Sequence, residues 1–380
     1  MEHVYIIGAG LWGCSTAERI ANELHLPVTI IEKRAHVGGN CYSSIDEDTG
    51  VEVHRYGSHI FHTSNEKVWE YINRFTSFND YHHRVFSHYN NKIYSMPINL
   101  ATINAYYGIN LSPEEARLFI EREANKEQII SPANLEEKAV SLIGRPLYDA
   151  FVKGYTIKQW DKHPNQLPAD IITRLPVRSN YNDRYFNDKY EGIPLDGYQR
   201  IFENMLASPL IDIKLNTDFH KMRNEINLKN AILCYTGAID SFFDYKYGHL
   251  DWRTVVFEQK HYEYSDHQGT SVINFADTEI PFTRIHEFKH YHPERPDTGK
   301  TITFTEYSKA AGPDDEPYYP VNTSRNQQLL EKYQNEAEKI KPKVIFGGRL
   351  GLYKYFDMDD AIENALNCFE EQIKPIIQQG

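Results

Sequence analysis

Cysteine is scarce: four residues in 380, Cys14, Cys41, Cys234 and Cys368, far apart and without CxxC spacing. That excludes a disulfide framework and a thiolate metal site, and leaves four reduced, mostly buried thiols as the expectation. Long apolar runs are missing as well. No stretch approaches the roughly 20 residues that cross a bilayer, and the mean hydropathy is −0.60. The opening MEHVYIIGAG runs straight into a strand and a glycine turn, with no basic n-region and no small-residue cleavage site. No signal peptide is expected, and the cytoplasm is the expected compartment. Positive charge is in deficit. A net charge of −12 argues against a nucleic-acid partner, which needs basic stripes, while a few placed arginines can still hold a small phosphorylated ligand. Internal repeats and low-complexity segments are absent.

What is abundant is tyrosine, 27 residues, a type suited to a pocket that is both apolar and hydrogen-bonding. With 41% hydrophobic and 25% charged residues over 380, the chain reads as globular, with room for two or three domains. His3 to Ile7 predicts a strand, Leu11 to Leu24 a helix and Val28 to Glu32 a second strand. Amphipathic spacing predicts a helix from Asn65 to Phe75, and Asn91 to Pro97 alternates like a strand after an Asn-Asn turn. Pro113, followed by Glu114 and Glu115, opens a mostly helical region that reaches Trp160. Within it Leu135 to Ile143 has helical spacing, and Pro146 opens a further segment. Lys162 to Asn187 reads as a loop-rich connection, and Trp252 to Tyr307 as an antiparallel sheet. Ala231 to Cys234 and Val344 to Phe346, each followed by glycine, return to α/β character before a last helix from Met358 to Ile373.

The expected fold is therefore α/β, with a discontinuous Rossmann-like domain over 1–77, about 211–245 and 340–380. A helical domain with a mobile loop is expected over about 100–190, and an antiparallel sheet domain over about 78–99, 191–210 and 246–339.

Gly8-Ala9-Gly10-Leu11-Trp12-Gly13 fits G-x-G-x-x-G in the required context: after a strand, opening a helix, with Glu32 closing the next strand. Gly8 permits the tight turn, Gly10 lets the backbone approach a pyrophosphate, and Gly13 lets helix and strand pack closely. The helix N-terminus turns its positive end to the phosphates. Glu32 suits a ribose with a free 2′-hydroxyl. Beyond Arg34, the pair Gly38-Gly39 before Asn40 is familiar from FAD proteins and unusual in nicotinamide dehydrogenases, which favours FAD.

Longer segments then carry a resemblance. His54-Arg55-Tyr56-Gly57-Ser58-His59-Ile60-Phe61-His62-Thr63 resembles the H-x-Y-G-x-H-I-F-H-T segment of bacterial UDP-galactopyranose mutases. In the same order follow Ser95 to Asn99, Lys153 to Trp160, Arg174 to Arg178, Tyr185-Phe186, Pro281 to Ile285, Glu316 to Pro320, Gly347 to Leu350 and Tyr355 to Asp359. The resemblance spans nearly the whole chain. It implies an isomerase that interconverts UDP-galactopyranose and UDP-galactofuranose through a covalent adduct between N5 of reduced FAD and the anomeric carbon. It also implies a homodimer, an external flavin reductant and a role in cell-surface polysaccharide synthesis.

The resemblance assigns Arg174 and Arg284 to a diphosphate clamp, a task suited to the always-charged, two-pronged guanidinium. Phe151 and Tyr155, four apart on an expected helix, would sandwich uracil, with Thr156 and Trp160 extending that wall. Tyr185, Tyr319 and Tyr355 would donate to the diphosphate, and Arg253, Asn274, Glu306 and Asp357 would supply further nucleotide, phosphate or sugar contacts. His59, Ile60 and His62 would border the flavin ring, His62 with a chemical role. Lys33, Gly39, Asn40, Arg349, Asp357 and Met358 join Gly8, Gly10, Trp12, Gly13 and Glu32 in the cofactor site. A metal site built from His54, His59 and His62 is rejected, since no carboxylate or cysteine pattern supports it.

Two positions depart from the family pattern. Asp161 stands after Trp160 where glycine is usual, which bears on the start of the mobile loop. His83 stands where asparagine is usual beside the sugar, which opens the substrate to a 2-acetamido, 6-deoxy or otherwise modified UDP-hexose. Two other classes share parts of this pattern: a flavin oxidoreductase of the amine-oxidase type and a non-catalytic nucleotide-sugar binder. The paired arginines and the uracil wall argue against the first, and the intact glycine fingerprint against the second.

Overall fold

In the computed structural model the described residues are 1–172 and 177–379, so Arg174 lies outside them. Five parallel strands form one sheet, in the order Val344–Phe346, Ala231–Tyr235, His3–Ile7, Val28–Ile31, Ile211–Lys214. Every residue of Ala231–Tyr235 and Val28–Ile31 is buried, as expected where helices cover both faces of a parallel sheet. The Leu11–Glu23 helix follows its glycine turn at once. The Met358–Cys368 helix lies against it, and Trp12 Nε1 donates to Asn364 Oδ1 at 2.8 Å. The expected single final helix stops at Cys368 and passes through one π turn, Phe369–Ile373, into Lys374–Gln379.

The second sheet has seven strands, in the order Tyr319–Pro320, Trp252–Tyr262, Thr301–Ala310, Arg284–Glu287, Val272–Phe275, Val85–Tyr89, Lys92–Met96. The expectation of a purely antiparallel sheet needs one correction. Val272–Phe275 pairs in parallel with Val85–Tyr89, a strand absent from the sequence expectation, so the sheet is mixed. The hairpin beside it turns at Asn90 and Asn91, both left-handed (φ 49° and 59°), a conformation asparagine tolerates.

The helical layer contains Leu100–Tyr107, Pro113–Asn125, Leu135–Leu147 and Gly154–Trp160. Ser112 and Glu115 close a capping box on the second, and Asn134 caps the third. Gly144 (φ 76°, ψ 161°) breaks the third helix two residues before Pro146, which cannot donate within a helix. One π turn, Tyr148–Lys153, then leads into Gly154–Trp160. Among the described residues no helix is long and apolar enough to cross a membrane. All four cysteines are unbridged and buried.

Candidate active site

The glycine turn leaves open space in front of its helix. A methyl group added at Gly10 would meet no protein atom within 4 Å, whereas one at Gly13 would sit 2.1 Å from the Gly8 carbonyl oxygen. The helix has no side-chain cap, so its first N–H groups point into that space. Glu32 is buried and accepts from the backbone N–H groups of Ala9 and Arg34, each at 2.8 Å, which ties the second strand to the turn. Gly39 comes back over the turn, its side-chain position 3.0 Å from Gly10 Cα. Lys33 is mostly exposed and pairs with Glu316 at 2.9 Å. Arg34, which entered the sequence reading only by its spacing, is a hub. It donates to Asn40 Oδ1 at 3.0 Å and Glu316 Oε2 at 2.9 Å, and lies 4.4 Å from the Tyr56 ring centroid.

On the sheet, strand register assembles a polar row. Asn274 pairs with Arg284, and Arg284 with Glu306, so side chains from three successive strands share one face. Arg284 Nε donates to Glu306 Oε1 at 2.9 Å, and Thr283 Oγ1 donates to the same oxygen at 3.0 Å. The two terminal nitrogens of Arg284 have no protein hydrogen-bond partner among the described residues. Asn274 Oδ1 is buried and also lacks one. Burial works against the Glu306 charge, but the Arg284 charge and the His286 hydrogen bond hold its carboxyl down to about 2.

Tyrosines enclose this row. Tyr155, Tyr185 and Tyr319 lie within electrostatic reach of Arg284, and burial pushes each phenol above its ordinary value, so all three stay protonated. Tyr319 stacks on Tyr355 with centroids 6.0 Å apart, and the Arg349 guanidinium lies 5.0 Å from the Tyr355 centroid. Arg349 is anchored by the carbonyls of Tyr318 and Phe356, and Tyr355 donates to Asp357 Oδ1 at 2.8 Å. Asp357 is also the N-cap of the Met358–Cys368 helix, so Met358 begins a second helix N-terminus beside these rings.

The 54–62 segment joins the two halves. His59 donates through Nδ1 to the Gly57 carbonyl at 2.7 Å, and burial takes its pKa down to about 4. Its electrostatic neighbours are Arg349, His286 and Asp357. Ile60 is buried beside it. His62 pairs through Nδ1 with Asp188 at 2.8 Å and stacks on Phe186 at 3.7 Å. His54 accepts from the His59 backbone N–H instead, so the three histidines have separate engagements. His83 is buried among Tyr81, Tyr185, Phe186 and Tyr291.

On the helical side the expected pair spans two adjoining elements, the π turn and the helix after it. Phe151 sits in the π turn with its ring packed on Tyr89, Tyr94 and Tyr106 in the core, while Tyr155 faces the Arg284 row. The wider π turn changes the angular offset that four-residue helical spacing implies. Thr156 is buried next to Tyr155, and Trp160 packs on the helical core. Arg253 is buried, donates to the Gln159 carbonyl at 2.9 Å and Ser308 Oγ at 3.1 Å, and so clamps the end of the helix that carries Tyr155. Asp161 takes the left-handed conformation (φ 54°, ψ 35°) that closes this helix, so the turn keeps its shape without glycine. Sequence reasoning missed Asp188, Glu316 and the hydrogen-bonded set Ser58, His286 and Tyr291. Glu316 and Ser58 lay in singled-out motifs without being assigned a role, and the pairing of Glu316 with Arg34 spans 282 positions.

Comparison with known proteins supports one family throughout. A family model described as UDP-galactopyranose mutase matches residues 150–355, and one for an NAD(P)-binding Rossmann-like domain matches residues 6–75. A probable UDP-galactopyranose mutase of Klebsiella pneumoniae is 42% identical over 378 residues, covering 100% of this chain and 96% of that protein. A dTDP-fucopyranose mutase of Escherichia coli is 40% identical over 377 residues, covering 98% and 99%. The fold matches a crystal structure of reduced UDP-galactopyranose mutase with a TM-score of 0.72 at 15% identity, over 99% of this chain and 94% of that one. With a parallel nucleotide-binding sheet, an arginine-centred row on a mixed sheet and full-length similarity to named mutases, the chain is an isomerase that belongs to the UDP-galactopyranose mutase family.

Proposed function

We propose that the protein contracts the ring of a nucleotide-bound hexopyranose, UDP-galactopyranose or a close relative, to the furanose, with reduced FAD as cofactor. The observation that carries this reading is Arg284. Its Nε is held by Glu306, while among the described residues both terminal nitrogens stay uncommitted beside the unpartnered Asn274 oxygen and three protonated tyrosines. A guanidinium oriented in this way suits a diphosphate whose charge grows as the sugar leaves.

The cofactor residues fit a dinucleotide. Space in front of Gly10, uncapped helix N–H groups and the buried Glu32 carboxylate suit a pyrophosphate and an adenosine ribose. Gly39 and Asn40 would continue that cradle, and His59, Ile60 and Met358 would border the ring system. When bound and reduced, the flavin supplies a ring-nitrogen nucleophile for the anomeric carbon.

The chain's own part is binding, orientation and exclusion of water. Arg284, joined by Arg174, would clamp the diphosphate, with Tyr185, Tyr319 and Tyr355 donating to its oxygens. Phe151 and Tyr155 would sandwich uracil, with Thr156 and Trp160 extending that wall. The N-terminus of the Met358–Cys368 helix favours negative charge beside it. His62, whose Nδ1 contacts Asp188, would hold or pass a proton. The homodimer that the resemblance implies is part of this reading. An oxidase reading is less favoured, because it leaves the Arg284 row without a task.

The test is incubation of flavin-loaded protein with UDP-galactopyranose, UDP-galactofuranose and dTDP-fucopyranose, with and without dithionite, and separation of the products. Conversion of at least one sugar only under reduction is expected. If no nucleotide-hexose isomerises, the reading fails.

A further inference from the structure

The short helix that carries Tyr155 is fastened to the sheet at its side and at its end. Gly154 and Lys158 stand four apart in Gly154–Trp160 and so share a helical face. Opposite them, at and just beyond the end of the Val272–Phe275 strand, lie Phe275, Ala276 and Asp277. A methyl group at Gly154 would sit 2.1 Å from the Ala276 carbonyl oxygen, so glycine is what lets the helix come this close. One turn later the Lys158 ammonium donates to the carbonyl oxygens on either side of Ala276, Phe275 at 2.6 Å and Asp277 at 2.8 Å. A charged donor makes the stronger class of hydrogen bond, and this one bridges two acceptors.

The strand end is itself held in place. Ala276 donates its backbone N–H to the His88 carbonyl at 2.9 Å. Asp277 accepts from the Asn90 backbone N–H at 2.8 Å and contacts His88 Nδ1 at 2.9 Å. Lys158 therefore grips a corner that is locked to the neighbouring hairpin. At the C-terminal end of the helix, Arg253 and Ser308 donate to the Gln159 carbonyl at 2.9 and 2.7 Å. One set of contacts holds the side of the helix and the other its end, so rotation about the axis and displacement along it are both fixed.

Tyr155 follows Gly154 and lies about 100° further round the helix, turned to Arg284. The π turn at Tyr148–Lys153 interrupts the α-helical repeat just before Gly154, which leaves the sheet contacts to set the direction of the Tyr155 ring. Lys158 is half-buried, with Asp277 and Glu279 as the acids in electrostatic reach. Burial lowers its pKa to about 8, so the ammonium keeps its charge at neutral pH.

We propose that Lys158 is a positioning residue for nucleotide binding: by bridging the Phe275 and Asp277 carbonyls it fixes the helix rotation that presents Tyr155 to the base of the substrate nucleotide. This rests on the reading that a nucleotide-hexose occupies the site. Lys158 is assigned no contact with substrate in this scheme.

The experiment is a double-mutant cycle of Lys158→Met and Tyr155→Ala in the flavin-loaded protein. It is read by calorimetric titration with UDP and dTDP, and by steady-state kinetics on whichever of UDP-galactopyranose and dTDP-fucopyranose the native protein converts. Lys158→Met is expected to raise KM and the nucleoside diphosphate Kd about tenfold, the weight of one base–aromatic stack. The kcat should stay within about twofold and the flavin content unchanged, the pattern of lost uniform binding. Lys158→Arg keeps the charge and a two-pronged donor, and is expected to recover affinity to within about threefold of native. In the Tyr155→Ala background Lys158→Met should cost less than about twofold more, because the ring it positions is gone. Should Lys158→Met not fold, Lys158→Gln, which keeps an N–H donor without the charge, replaces it in the cycle. Unchanged affinity, a loss carried by kcat, or full additivity with Tyr155→Ala overturns the proposal. A native protein that binds neither nucleoside diphosphate and isomerises no sugar overturns the functional reading on which the proposal rests.

Discussion

Arg284 and Glu306 face each other across two paired strands, and Arg284 Nε donates to Glu306 Oε1 at 2.9 Å. The bond fixes the plane of the guanidinium and, among the described residues, leaves its outer fork uncommitted. Lysine at position 284 keeps the charge but offers neither the fork nor the Nε anchor. Arg284→Lys is therefore expected to lower kcat/KM by about 10²–10³-fold, with kcat carrying most of the loss, as for removal of a donor that acts on developing charge. Steady-state kinetics on the reduced enzyme measures it. A change confined to KM would assign Arg284 to ground-state binding alone.

Gly10 and Gly13 separate cofactor binding from folding. A methyl group at Gly10 meets nothing within 4 Å and φ there is −76°, so Gly10→Ala is expected to leave the melting temperature of the flavin-free protein unchanged. The methyl fills the space a pyrophosphate needs, and flavin content should drop at least about tenfold, the equivalent of roughly 1.4 kcal/mol. At Gly13 the methyl would meet the Gly8 carbonyl oxygen at 2.1 Å, so Gly13→Ala should destabilise the flavin-free protein itself. Flavin absorbance per chain and calorimetry of the stripped proteins distinguish the two outcomes.

Acid should weaken the fold well before the carboxylates protonate. Burial takes His54 and His83 down to about 3 and His59 to about 4, all below the ordinary histidine value. A group whose folded pKa is depressed contributes stability that is complete above its unfolded value and is lost as pH falls towards the folded one. For these histidines the loss starts near pH 6.5, at about 1.4 kcal/mol per pH unit for each ring. Glu52 and Glu306, held down to about 2, add to it only below about pH 4.5. Urea unfolding at pH 7.5, 6.0 and 5.0 should show little change above about pH 6.5 and a steep fall from pH 6.0 to 5.0. His83→Asn should remove about one ring's share of the slope. Stability that stays level to pH 5 would contradict the neutral, buried state of these rings.

Local features were the legible ones. The His3–Ile7 strand, the turn at Gly8 and the helix beyond it follow from neighbours in sequence, and so does the capping of the Pro113–Asn125 helix. Long-range pairing was not legible. Nothing near Val85 announces a parallel partner at Val272, because strand pairing is decided by what the rest of the sheet leaves open. The π turn was not legible either: spacing of four implies a shared helical face, and the turn at Tyr148–Lys153 changes the offset between Phe151 and Tyr155. Arg284, Tyr319 and Tyr355 were legible only through long motifs. Ser58, His286 and Tyr291, spread over 233 positions, look like ordinary polar residues until the fold brings them into contact.

Asp161 offers a test of stored strain. It holds φ 54°, the left-handed region, where it ends the Gly154–Trp160 helix by donating its backbone N–H to the Ile157 carbonyl at 2.7 Å. Aspartate tolerates this conformation better than most residues, yet it still carries a steric cost of about 1 kcal/mol that glycine avoids. Glycine also loses more chain entropy on folding, which offsets part of the gain. Asp161→Gly should therefore raise stability by about 0.5 kcal/mol. Asp161→Ala keeps the β-carbon, gives up aspartate's tolerance of the left-handed region and should lower stability by about 1 kcal/mol. Urea midpoints of the two variants, compared at equal m-value, make the measurement. Should both variants shift in the same direction, backbone conformation is not what position 161 contributes, and its carboxylate, an electrostatic neighbour of the buried Arg253, becomes the group to examine.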